Sequence, residues 1–207
     1  MARLLVKRTI KYEFIPYDVR ADKGPTNDFV RHSFTGDFLY ELPFARAIGT
    51  SSLLLRNLLG GWQVAGIFTA RSGSPINVLQ ETAFEGSRVD YIGGEARLED
   101  YRQTLRYLDR SPFSLVPIGQ ASGVPIRPGN IGRNALFNIG WWNLDASVAK
   151  RFFLTERVNT KIEAQMLNAM NHTNLSGIEA RAIRANFGQF TSTRGARVVQ
   201  FNLRLEF

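Results

Sequence analysis

Several stretches of this chain alternate apolar and polar residues over a length that few folds can use. The clearest, residues 198–207, has an apolar side chain at every second position, which is the period of a β-strand. Four further stretches repeat the pattern, beginning near Arg31, Trp62, Trp141 and Arg157, and each of the five has about 10 to 14 residues. Strands of soluble proteins most often have about five or six residues, whereas a tilted strand that crosses a bilayer needs about nine to eleven. The lengths therefore favour strands that span a membrane.

The polar side chains of these stretches lie within the strands, so one face of the sheet needs water. We predict that this face lines a lumen and carries Asp145, Lys161, Glu163, Gln165 and Arg204. A charged side chain in hydrocarbon costs a few kcal/mol, and only a wide barrel has a water-filled interior. The sequence therefore predicts an all-β fold, an antiparallel transmembrane β-barrel fragment of about six long strands with long extracellular loops.

The connections between the strands differ greatly in length. A tight turn lies at residues 152–158, whereas residues 72–140 and 171–196 form long insertions rich in Gly, Pro, Asn and Arg. Short turns at one end and long loops at the other are typical of outer-membrane barrels, and loops above about 15 residues usually carry function. Within the first insertion the helical spacing of apolar residues predicts a short surface helix that contains Leu98, Tyr101, Leu105 and Leu108.

Composition excludes several other classes of protein. The chain has no cysteine, which excludes disulfides, thiolate metal sites and a cysteine nucleophile. The net charge is +8, but the Lys and Arg residues are scattered, so nucleic-acid binding is not expected. His32 and His172 have no partner residues at the spacing of a metal site or a catalytic triad. We therefore predict no catalytic residue, no cofactor and no metal site, and we do not expect an enzyme.

Four motifs occur together in this chain: GRN before a long strand, MNHTN after one, NFGQ with TSTRG, and a last strand that ends in Phe207. This combination resembles the C-terminal end of TonB-dependent outer-membrane receptors, in particular the Oar-like group, whose longer members contain a carboxypeptidase-regulatory-like domain. The resemblance covers residues 21–207, and we expect residues 1–20 to be an atypical N-terminal strand or an out-of-family start. It implies part of a transporter in the outer membrane of a Gram-negative cell, for large substrates such as siderophores or oligosaccharides.

The resemblance also implies particular partners and a role for the last strand. Its apolar residues would form the signal that the barrel-assembly machinery recognises: Val199, Phe201, Leu203, Leu205 and Phe207. The partners would be outer-membrane lipid, that machinery, the remaining barrel strands and plug, which this sequence lacks, and TonB through the missing N-terminal part.

A sheet with open edges is costly in lipid, so we expect the chain to be a truncated piece that does not transport alone. The alternative is a soluble or surface β-rich binding module with a basic surface. Strand length, charges within the strands and the terminal Phe207 favour the receptor.

Overall fold

Long antiparallel strands form the main sheet of the protein. The computed structural model describes Arg20 and residues 22–44, 53–80, 87–121, 123, 125–155 and 158–207. The strands in these ranges are β1 (Ser33–Glu41), β2 (Trp62–Arg71), β3 (Pro75–Ile76), β4 (Asp90–Tyr91), β5 (Phe113–Ser114), β6 (Leu136–Phe137), β7 (Trp141–Phe153), β8 (Asn159–Leu167), β9 (Leu175–Ile178), β10 (Phe190–Thr193) and β11 (Val198–Glu206). Two helices accompany them, α1 (Leu53–Leu59) and α2 (Tyr101–Thr104). The predicted all-β, antiparallel fold is confirmed.

The long strands pair in the order β1, β2, β7, β8, β11, and the six short strands pair in twos: β3 with β6, β4 with β5, and β9 with β10. The five long strands have 9, 10, 13, 9 and 9 residues, which is the length that a tilted transmembrane strand needs. In the described part of the chain this sheet is open and does not close into a barrel. The strand or out-of-family start predicted for residues 1–20 lies outside the described residues, apart from Arg20. No described helix is long and apolar enough to cross a membrane.

The chain divides into two compact units. The first, which we call the sheet unit, contains Arg31–Ser72, Gly140–Leu175 and Thr193–Phe207. The second, which we call the loop unit, contains Gly73–Ile139, Ser176–Ser192 and the described part of Met1–Val30. Because neighbouring long strands are antiparallel, the chain enters β1 and leaves β2 and β8 at the same end of the sheet. All three segments of the loop unit are therefore joined to that end.

The register of the sheet separates an apolar face from a polar face. One transverse row of side chains contains Tyr40, Val64, Val148, Ala164 and Phe201, and the next row along the strands contains Glu41, Gln63, Ala149, Glu163 and Asn202. Directly opposed residues of paired strands point to the same face of a sheet, and the next row points to the other face because side chains alternate along every strand. The apolar face is open to its surroundings, with Phe201 75% exposed and Leu203 74% exposed. Such a face is stable only against lipid or another apolar surface.

The connection between β1 and β2 contains α1, which is attached to the far end of β7. The Asn57 side chain donates to the carbonyl oxygen of Phe153 at 2.8 Å and accepts from its amide at 3.0 Å. The indole of Trp62 donates to the carbonyl oxygen of Leu58 at 3.2 Å. These contacts hold the helix against the end of the sheet where β7 ends.

The loop unit has a hydrophobic core of its own, formed by Ile76, Val78, Val89, Ala96, Tyr107, Leu108, Phe113, Ile131, Ala182 and Phe187. Parts of both long insertions supply it, so residues distant in sequence are packed together. Burial of this apolar surface offsets the conformational entropy lost when long loops become ordered. Both insertions are therefore folded structures.

The helix predicted around Leu98 and Leu108 is wrong in its extent, because only α2 is helical there. Leu105 ends it in the left-handed region, with φ 55°. Leu98, which precedes α2, is not helical either, because its amide donates to the carbonyl oxygen of Tyr107 at 2.8 Å. Leu108 is fully buried, whereas Leu105 is exposed. Tertiary contacts across the loop unit thus outweigh the local helical spacing.

Candidate functional site

The polar face of the sheet contains all five residues predicted to face a lumen. Lys161 is opposite Arg204, and Gln165 is opposite Gln200. Glu163 lies between them on the same strand and is opposite Asn202. Asp145 shares this face, because it precedes Arg151 on β7 by an even number of residues and Arg151 is opposite Lys161. Whether a water-filled lumen covers this face stays a prediction.

Cationic side chains form a transverse row near the α1 end of this face. Arg151, Lys161 and Arg204 are directly opposed across β7, β8 and β11. Like charges in such positions are destabilising unless acidic neighbours offset them. Glu163 is 3.4 Å from the Lys161 ammonium, and Glu206 is 3.4 Å from the Arg204 guanidinium. A cleft of about 300 Å³ adjoins the row and is lined by Glu41, Gln63, Gly61, Arg151, Phe153 and Lys161.

An aromatic and cationic cluster lies at the opposite end of the polar face. The Trp141 ring has the Arg194 guanidinium 4.3 Å and the Arg71 guanidinium 5.8 Å from its centroid. Stacking on an indole orients a guanidinium and leaves its N–H groups free to bind other acceptors. This cluster can therefore bind anionic or hydroxyl-bearing groups.

The MNHTN motif follows β8 and, together with Asn168 just before it, supports the same end of the sheet. Asn168, with φ 49°, is buried and donates to the carbonyl oxygens of His172 and Gly195 at 3.0 and 3.2 Å. Its amide donates to Asp145 at 2.8 Å, so this carboxylate also fixes the turn. The Asn174 side chain pairs with both backbone polar groups of Trp142, at 2.7 and 3.2 Å. Asn168 and the motif thus form a set of amide contacts where the strands end.

His172 stacks on the ring of Trp142, with centroids 4.2 Å apart. Phe68 lies 6.0 Å from Trp142, and Phe34 lies 6.2 Å from Phe68. These rings share the apolar face at the end of the sheet that leads to the loop unit segments. A belt of aromatic rings at this level is typical of a membrane interface. In the described part of the chain, no three His, Asp or Glu side chains converge as metal ligands would.

Lys150 lies on the apolar face and was missed in the sequence analysis. It is opposite Trp62 on β2 and Ile162 on β8, between Val148 and Phe152 on its own strand. Strict alternation along β7 is the signal that could have identified it. Its ammonium donates to the carbonyl oxygen of Gly60 and lies 5.2 Å from the centroids of the Trp62 and Phe152 rings.

The residues proposed as the assembly signal lie along one edge of the sheet. Phe201 is opposite Ala164, Leu203 is opposite Ile162, and Val199 is opposite Met166, all on the apolar face. Leu205 continues the same face, and Phe207 follows the last residue of β11. Their exposure shows an apolar edge, while recognition by assembly machinery stays a prediction.

The remaining motifs stabilise the loop unit. In GRN, the Asn134 side chain is buried and donates to the carbonyl oxygen of Pro25 and to Asn27, both at 2.8 Å. In NFGQ, Phe187 enters the core, and position 188 favours glycine for two reasons: its φ is 78°, and a Cβ there would overlap the carbonyl oxygen of Leu108. Two of the recognition motifs, GRN and NFGQ, thus form part of the loop framework.

A bidentate ion pair also stabilises the loop unit. The Arg127 guanidinium donates to both oxygens of Asp90 at 2.8 and 2.6 Å, and the Asn130 amide donates to the same carboxylate at 3.0 Å. The hydrogen bond from Arg127, offset in part by burial, holds the pKa of Asp90 below its ordinary value of 3.8. Because the pKa of Asp90 is lower in the folded protein, ionised Asp90 stabilises the fold at pH values above its pKa in the unfolded chain. This stabilisation is lost as the pH falls through its pKa in the folded protein.

We expect the Arg127→Gln variant to lose hydrogen-exchange protection in the loop unit at neutral pH. The difference from the unsubstituted protein should begin to shrink as the pH falls below about 3.8 and should vanish below the lowered pKa of folded Asp90, where the carboxyl is protonated in both proteins. Exchange rates of the Asp90 and Asn130 amides, corrected for intrinsic rates, would measure this effect. Arg102→Gln is the matched control, since Arg102 is exposed in the same unit. A pH-independent difference between the two proteins would contradict the prediction.

Comparison with known proteins identifies one family. The model of a family described as "Outer membrane beta barrel domain" matches residues 9–200. The match therefore includes parts of both units, with all of β1 to β10 and the first residues of β11. No curated protein and no solved structure matches the chain.

Proposed function

The chain belongs to the outer membrane beta barrel domain family, and from this premise we propose that it forms the C-terminal part of a TonB-dependent receptor of the Oar-like group. In this proposal the receptor takes up large substrates of the siderophore or oligosaccharide class across the outer membrane of a Gram-negative cell. The chain itself catalyses no reaction and binds no cofactor.

The loop unit is the observation that carries the proposal. Two long insertions pack around a common core, and GRN and NFGQ supply contacts within it. Ordering this much chain is costly in conformational entropy, and long ordered loops usually bind or gate. A simple membrane scaffold needs only short connections. Long structured loops therefore favour a receptor for specific substrates.

The two faces of the sheet also support the proposal. The polar face supplies carboxylates, amides and guanidinium groups along the proposed substrate route, including Glu163, Gln165 and Arg204. The apolar face contains Phe201 and Leu203, both largely exposed, and suits contact with hydrocarbon. A soluble binding module, the alternative considered from the sequence, would leave this face in water at a large cost.

The proposal includes partners that complete the protein. β1 and β11 each pair with one strand in the described residues, and an unpaired strand edge in lipid costs several kcal/mol for each unsatisfied group. We propose that the remaining barrel strands of the receptor pair with these edges, after the barrel-assembly machinery recognises β11. A plug would fill the lumen and TonB would act through the N-terminal part. The isolated chain would then not transport.

Energised uptake by cells tests the proposed function. Cells that contain or lack the gene would be supplied with fluorescently labelled ferric siderophores and with labelled oligosaccharides, before and after a protonophore. The proposal expects one substrate class to accumulate only when the gene is present, and expects the protonophore to abolish accumulation. Accumulation that continues after the protonophore would indicate a passive channel and would contradict TonB dependence. Equal accumulation without the gene for both classes would contradict the receptor role.

A further inference from the structure

An apolar groove lies between α1 and the apolar face of the sheet. Its volume is about 310 Å³, and its lining includes Leu58, Trp62, Lys150, Phe152, Ala164 and Phe201. All of these residues belong to the sheet unit. The strand residues of the lining lie on the apolar face, which an outer-membrane protein presents to lipid, and one of them, Lys150, is cationic.

The position of Lys150 along β7 corresponds to the headgroup level. Eight residues separate it from Trp142, which marks the aromatic belt at the other end of the same face. At about 3.3 Å for each residue this is about 26 Å along the strand, or about 20 Å along the membrane normal for a strand tilted by about 40°. The apolar band of outer-membrane barrels is about 25 Å tall. Lys150 and Trp62 thus lie near the opposite boundary of the band.

The ammonium of Lys150 donates to one acceptor among the described residues and has further N–H groups that can donate to a lipid headgroup at this level. It has three N–H donors, and its contacts with described residues are the Gly60 carbonyl oxygen and the faces of Trp62 and Phe152. Neither ring neutralises the charge. A lipid phosphate is the anionic acceptor that a membrane places at this depth, and an ammonium binds it with a charge-assisted hydrogen bond.

We propose that the α1 groove binds an anionic phospholipid, with one acyl chain along Phe201 and Ala164 and the phosphate at Lys150. The apolar lining matches the acyl chain, and the single cation matches the headgroup. Trp62 would lie beside the headgroup, where an indole is most stable. This site requires only the membrane position of the sheet and does not depend on transport or on TonB.

Lipid binding to the protein extracted from outer membranes in a mild detergent tests the site. Native mass spectrometry would measure the affinity for phosphatidylglycerol and for phosphatidylethanolamine, which is zwitterionic. We expect the intact protein and Lys150→Arg to prefer phosphatidylglycerol, and Lys150→Gln to bind it at least about fivefold more weakly. Lys161→Gln is the matched control, because Lys161 lies on the polar face of the same sheet, and its affinity for the lipid should not change.

A second variant tests the groove itself without changing the charge. Ala164→Phe would place a ring where the acyl chain is proposed to lie, so binding of both lipids should weaken while Lys150 is intact. Inorganic phosphate, added as a competitor, should not displace phosphatidylglycerol. Unchanged binding by Lys150→Gln or by Ala164→Phe would overturn the proposal. Displacement by inorganic phosphate would overturn it as well, since the site would then bind free anions.

Discussion

Replacing Met166 with arginine is expected to destabilise the protein in a membrane by about 2–4 kcal/mol. Met166 is opposite Ala146 and Val199 on the apolar face, and Ala146 is midway between Lys150 and Trp142 on β7. A guanidinium there would meet the middle of the hydrocarbon, where neither water nor a headgroup can solvate it. The same substitution near an interface costs only about 0–1 kcal/mol. Depth in the bilayer therefore sets the size of the effect.

The neighbouring residue provides a matched control for Met166→Arg. Gln165 precedes Met166 on β8 but lies on the polar face, opposite Gln200 and Ser147. Gln165→Arg should therefore cost little. Urea unfolding of the protein reconstituted in lipid vesicles would compare the two variants, and their amounts in outer-membrane fractions would give an independent measure. Equal destabilisation by both substitutions would show that the two faces are assigned incorrectly.

Replacing Phe187 with alanine is expected to remove about 3–5 kcal/mol from the stability of the loop unit. Phe187 is 1% exposed and packs edge-on against Phe113, with ring centroids 5.7 Å apart. Truncation would remove these contacts and leave a cavity bounded by Leu108 and Phe113. The backbone hydrogen bonds at Gly188 would keep this cavity from collapsing. The loops should then open while the strands of the sheet unit remain paired.

Limited proteolysis of the membrane-inserted protein would detect this opening. Phe187→Ala should be cleaved rapidly within residues 73–139 and 176–192, with the strands of the sheet unit still protected. Ile92→Ala is a suitable control, because Ile92 is in the same unit but largely exposed and its truncation should change little. If the receptor proposal is correct, Phe187→Ala should also lower substrate binding. Unchanged cleavage in Phe187→Ala would show that the core does not hold the loops together.

Structure follows most directly from the sequence where it depends on neighbouring residues. Alternation is a local property, so it identified the faces of β8 and β11 before the pairing of strands was known. Lys161, Glu163 and Gln165 share a face for that reason. Lys150 obeys the same rule and could have been identified by it, since its position between Val148 and Phe152 is fixed by the sequence of β7.

Spacing was misleading where long-range packing competes with it. Leu98, Tyr101, Leu105 and Leu108 have helical spacing, yet only Tyr101 lies in a helix, and Leu108 enters a core that residues from the second insertion complete. The motifs GRN and NFGQ could be recognised as patterns, but the contacts of Asn134 with Pro25 and of Gly188 with Leu108 could not be derived from them. Such contacts join residues far apart in sequence, and no periodicity encodes them.

The sequence by itself determined that the protein is built of long amphipathic strands with one polar and one apolar face, because a two-residue period follows from backbone geometry alone. Only the tertiary structure decided which strands are neighbours, that α1 rests on the end of β7, and that the two insertions share a core. Those features depend on register and on the packing of distant segments. Each results from the balance of burial against loop-closure entropy, which acts over the whole chain at once.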